Sequence, residues 1–72
     1  MLIQIVVDKQ VIGKVNYDGE GSLRNAEYVI KSVICAWRKT DYPAHVLLDM
    51  ITDNYGFSHV CEEPDYTVED NK

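Results

Sequence analysis

Residues 23–39 carry apolar side chains at Leu23, Ala26, Ile30, Val33, Ile34 and Trp37. Steps of three and four put these on one stripe, which predicts an amphipathic helix from Leu23 to Lys39. Charged Arg24, Glu27, Lys31, Arg38 and Lys39 fall off the stripe. Val29 and Ala36 widen it, so the helix is expected to touch more than one neighbour. Ser22 is a suitable N-cap, and two bases in the last turn suit the helix dipole. A second stripe, Val46, Leu47, Met50, Ile51 and Tyr55, predicts a shorter helix. Asp41 is placed to cap it, Pro43 fits its first turn, and Gly56 falls where a C-terminal glycine belongs. The short connection makes the two helices antiparallel neighbours.

The N-terminal third alternates instead. Residues 2–7 are apolar on both faces, with Gln4 the only break, as in a central strand. Residues 11–17 set Val11, Gly13, Val15 and Tyr17 against Ile12, Lys14 and Asn16, the pattern of a half-exposed strand. Polar Asp8-Lys9-Gln10 joins the two as a hairpin, although no Asn-Gly or Asp-Gly marks the turn. Asp18-Gly19-Glu20-Gly21-Ser22 is a turn that uses glycine at positive φ. Phe57–Cys61 is the predicted third strand. The order β-β-α-α-β describes an α+β domain over residues 1–61: a three-stranded sheet with two antiparallel helices packed on one face. The two-faced first strand is expected in the middle, with the third strand parallel beside it. An antiparallel meander around the second strand is the alternative. Either layout leaves Ile12 and half of the first strand's apolar residues on an uncovered face, a surface for self-association or a partner.

Residues 62–72 contain Glu62, Glu63, Asp65, Glu69 and Asp70 against Lys72, with Pro64 among them. They read as an acidic, flexible C-terminal tail, although Tyr66-Thr67-Val68 is able to add an extended piece to an edge. Of the net charge of −5, this segment carries −4, so the remainder is close to neutral. Neither part offers the basic surface that phosphates require, so direct nucleic-acid binding is not expected. A chain of 72 residues is one domain with a small core. The apolar N-terminal run lacks a preceding base and meets Asp8 early, so neither a signal peptide nor a membrane span is expected. Cys35 and Cys61 are too few for a disulfide framework and suggest reduced thiols in a cytoplasmic protein.

Candidate chemistry is sparse. Gly19-x-Gly21 stands between strand and helix like the start of a nucleotide fingerprint. Its third glycine position is Arg24, and Asp18 and Glu20 would repel phosphate. Asp18, Glu20 and Ser22 alternate like calcium ligands, but Val29 holds the place of the closing glutamate. Cys35, His45, His59 and Cys61 contain no close cysteine pair, so no metal or other cofactor is expected. No residues mark an oxyanion hole, a P-loop or a zinc-protease helix.

Five tyrosines are many for this length. Tyr17, Tyr55, Phe57 and Trp37 are expected in the core. Tyr28 and Tyr42 lie off the stripes and are the candidate contact residues, with Arg24 and Lys31 one helical turn from Tyr28. Glu62, Glu63, Asp65 and Tyr66 are a second candidate surface, able to meet a basic site by charge. These features point to a small non-enzymatic module that binds another protein, or itself as a homodimer through the uncovered sheet face. Short acidic single-domain chains are common among phage and mobile-element inhibitors that occlude a site on a host protein, an association at the level of composition. The alternatives are a small metal-dependent or thiol enzyme using Cys61 with His59, and a structural subunit of a homo-oligomer.

Overall fold

Strand β1 (Leu2–Val7) turns back at once into β2 (Gln10–Tyr17). In the computed structural model, which describes residues 1–72, Asp8 and Lys9 form the two-residue turn with φ of 50° and 67°. Two successive positive φ values match the twist of a hairpin, and aspartate tolerates them better than most residues. The hairpin runs from Leu2↔Asn16 to Val7↔Gln10, with a bulge between Ile5 and Val6. The bulge lets Ile12 pack against the core rather than lie on the far face, as alternation alone predicts.

Helix α1 (Leu23–Trp37) follows, then α2 (Ala44–Thr52), β3 (Phe57–His59) and β4 (Tyr66–Asp70). Ser22 and Pro43 hold the N-cap positions, and neither makes a side-chain cap bond. The tryptophan that ends α1 donates its Nε1–H to the carbonyls of Tyr42 and Pro43, at 2.9 and 3.3 Å. That bond fixes the short connection, so the C-terminal end of α1 meets the N-terminal end of α2.

The sheet has four strands, not three, in the order β3-β2-β1-β4. Strand β3 pairs antiparallel with β2, from Val15↔His59 to Tyr17↔Phe57. The parallel neighbour of β1 is β4, from Ile3↔Tyr66 to Val7↔Asp70. Thus β1 is interior as its two apolar faces require, but its parallel partner is the acidic segment read from sequence as a flexible tail. The physical reason is Val68, which is 3% exposed beside Ile5 and completes the core. Thr67 and Glu69 alternate outward, so one buried residue is the whole apolar signature of this edge strand.

Ile3, Ile5, Val7, Val15 and Tyr17 present one sheet face to Ala26, Ile30, Ile34, Leu47 and Ile51 of the helices. Gly13 stands opposite Ile5, and a Cβ there would come within 2.5 Å of Leu48 Cδ2. Its bareness seats α2 on the sheet. Tyr17 and Phe57 pack within the core with ring centroids 4.7 Å apart.

The other face is not bare. Strands β3 and β4 lie at opposite edges, roughly 14 Å apart, and only residues 60–65 join them. The Val60 N–H donates to the Lys14 carbonyl and the Asp65 N–H to the Leu2 carbonyl, at 3.4 and 2.9 Å. Six residues reach at most about 20 Å, too little to go around a sheet end. The helices hold the other face, so the link straps across the side bearing Leu2, Gln4, Lys14 and Asn16, all half-buried. The uncovered face expected for self-association is therefore largely occupied by the chain itself.

Placing β4 in the core makes neighbouring substitutions diverge. Val68→Asp buries a charge and is expected to lower stability by at least ~2 kcal/mol. Thr67→Asp, on the outward side of the same strand, is expected to stay within about 1 kcal/mol. Urea unfolding of both variants measures the difference. Equal tolerance would mean that the segment is not docked.

Candidate functional site

The outer side of the helix pair is concave. It forms an open groove of about 580 Å³ between α1 and α2. Val29, Val33 and Ala36 line it from α1 and Met50 from α2, with Tyr28, Ser32, Asp53 and Asn54 at its rim. The groove follows from helix geometry. The buried stripe of α1 is Ala26, Ile30 and Ile34, while Val29, Val33 and Ala36 form the next row toward α2. These residues are too many to bury under two helices, and their outer edge stays accessible. Their signal in the sequence was the widening of the stripe at Val29 and Ala36. Met50 carried no separate signal, because it looked like part of the α2 core stripe.

Tyr28 is 71% exposed at one end of this groove. Arg24 adjoins it and lines a second depression with Gly21, Ser22 and Asn25. Lys31 sits on the far flank of α1, 3.3 Å from Glu27 in an i,i+4 ion pair. Tyr42 is 56% exposed but lies in the connection between the helices and does not line the groove. Glu62, Glu63 and Asp65 are exposed on the strap, and Tyr66 opens β4. The candidate contact residues thus form two surfaces, with Arg24 and Tyr28 together and the acidic set elsewhere. Tyr55, expected in the core, is 91% exposed. Helix α2 stops at Thr52, so the residue falls outside the stripe. The turn after α2 contains Gly56 at φ 92°, where a Cβ would stand 2.8 Å from the Gly19 backbone.

No hydrogen bond joins the thiol and histidine candidates. Cys35 and Cys61 are both free and exposed. The strand pairing of β3 ends at His59, two residues before Cys61. His59 Nε2 lies 3.1 Å from Thr52 Oγ1 and 3.5 Å from Asp49 Oδ1, so it addresses α2. Both contacts use the same ring nitrogen, whereas a relay from nucleophile to carboxylate uses two. No group of three or more His, Cys, Asp or Glu side chains is arranged to hold a metal ion.

The one perturbed charge cluster joins three distant segments. Arg38, just past α1, donates to Asp8 Oδ2 and Oδ1 at 2.9 and 3.0 Å. It also donates to Asp70 Oδ1 at 3.0 Å and to the Asp70 carbonyl at 3.3 Å. The backbone N–H of Lys72 adds a 2.7 Å bond to Asp8 Oδ1. The Arg38 guanidinium holds the Asp8 carboxyl below its ordinary value, with the Lys72 N–H assisting. In return Asp8 and then Asp70 raise the guanidinium above its own. Both amino groups of Arg38 are bonded within the chain, so the cluster acts as a clasp between segments. It fixes the strained hairpin turn to the ends of α1 and β4.

Compared with known protein families, with curated proteins and with solved structures, the chain matches none.

The clasp gives a pH dependence with a definite sign. The folded-state value of Asp8 is depressed, so its contribution is present above the ordinary value of 3.8. It is lost as pH falls through the folded-state value. Asp8→Asn is therefore expected to lower the urea midpoint at neutral pH, with the gap to wild type closing on acidification below that range. A gap independent of pH would show that the carboxylate charge does not anchor the clasp.

Proposed function

We propose that this protein is a small non-enzymatic binding module whose contact surface is the groove between α1 and α2. The observation that carries the reading is Tyr28, a large amphipathic side chain standing 71% exposed over an apolar floor of Val29, Val33, Ala36 and Met50. An exposed aromatic beside an apolar floor with a polar rim has the make-up of a protein contact. Ser32, Asp53 and Asn54 supply that rim, and Arg24 stands beyond it next to Tyr28. Binding of this kind acts by covering a site on the partner. The acidic set on the strap has a smaller part in this reading. Glu62, Glu63 and Asp65 are on the connection between strands, away from the aromatic anchor, and carry charge without an apolar centre.

Tyr28→Ala is expected to leave the thermal midpoint nearly unchanged, because the side chain is mostly in solvent. It is expected to weaken a captured partner by at least ~10-fold, as truncation of a central interface aromatic does. Tyr42→Ala lies outside the groove and is expected to change affinity little. Affinity capture followed by titration of the identified partner against the three proteins checks this. Equal binding by all three would move the contact surface away from the groove.

A further inference from the structure

We infer that the occupant of the groove is a second copy of this chain, docked on a two-fold axis that runs along the groove, parallel to the helices. The inference rests on the groove being a protein contact surface, and it names the partner. Its ground is the distribution of unpaired charge across the helix layer. Arg24 and Lys39 stand exposed near the two ends of α1, while Asp41 and Asp53 flank the two ends of α2. None of the four takes part in an ion pair within the chain. The helices are antiparallel, so Arg24 and Asp53 share one end of the helix pair, and Lys39 and Asp41, both in the connection, share the other. Each end of the helix pair therefore carries one unpaired base, nearer α1 in the chain, and one unpaired acid, nearer α2.

Two ways exist to lay this surface on its own copy with the helices aligned. An axis across the helices sets α1 on α1, with Arg24 opposite the copy's Lys39 and Asp53 opposite its Asp41. Like charges then meet at both ends. An axis along the groove sets α1 of each copy on α2 of the other. Arg24 then faces the copy's Asp53, and Lys39 faces its Asp41, four opposite-charge pairs in all. This isologous arrangement satisfies both copies at once. It also lays Tyr28 on the copy's Met50 and Asn54 and brings the exposed Tyr55 side chains to the same end. The apolar floor supplies the water-excluded centre and the charges a polar rim.

Size permits the arrangement. A specific interface takes roughly 800 Å² from each partner. The chain exposes 4691 Å², so the helix layer would contribute about one sixth of its surface. The strap leaves the opposite side of the sheet without an equivalent apolar expanse. The β4 edge carries Glu69 and follows Asp65, and it would meet its own copy with like charge.

The test uses the full chain with a photo-crosslinking benzoyl-phenylalanine at position 28. Irradiated alone at micromolar concentration, it is expected to give a product of twice the chain mass, with the link mapping to residues 50–55 of the other copy. Sedimentation of Arg24→Asp and Asp53→Arg is expected to show dimerisation weakened at least ~10-fold in each, and recovered in the double variant. Protein that sediments as a monomer at every concentration and gives no self-linked product overturns the inference. A dimer indifferent to the charge exchange overturns it too. If position 28 then links to a different protein in lysate, the groove remains a contact surface and only the second copy is excluded. If it links to nothing in either setting, the groove reading falls as well.

Discussion

The pairing of β1 with β4 is the constraint on which the rest of the fold depends. It inserts the strand with two apolar faces into the interior of the sheet, where such a strand must lie. It brings Val68 into register beside Ile5, and Asp70 beside Val7 at the mouth of the clasp. It also dictates the strap, because a strand delivered to the far edge has to be reached from β3 within six residues. Without that pairing, one edge of β1 would present unsatisfied backbone groups, and the helices would sit over an incomplete floor.

Arg38 acts on this arrangement from outside the core. The hairpin turn holds Asp8 and Lys9 at positive φ, which side chains other than glycine adopt only at a cost. The same Asp8 carboxylate accepts two bonds from Arg38 and one from Lys72. One side chain thus braces a strained turn, ends a helix and tethers an edge strand. The Asp8 N–H also donates to the Asp70 carbonyl at 3.0 Å, a backbone tie between the turn and the edge strand.

The local elements were legible in the sequence. Both helical stripes, the hairpin and the short third strand follow from periodicity, and the off-stripe position of Tyr28 marked it as exposed. The missing element was β4, because an edge strand between solvent and one core contact needs only Val68 to be apolar. The acids around it resemble a solvated tail for the same reason. The clasp was equally hidden, since Arg38 and its partners Asp8 and Asp70 are separated by 30 and 32 residues. Tyr55 was misplaced by continuing a helical stripe past the point where Gly56 and its neighbours turn the chain. The groove was half legible: the broad stripe of α1 announced a second neighbour but not that part of the row would stay open.

The strap also has a bearing on how the molecule reaches this state. The first strand waits for a partner more than sixty residues away, across a link that must first be laid under the sheet. Such distant closure makes folding slow for a chain of this length, because loop entropy is lost before the contact rewards it. During that wait the edge of β1 is an open template. The β4 of a neighbouring molecule matches it as well as the chain's own, so crowded refolding favours exchange of this strand between molecules.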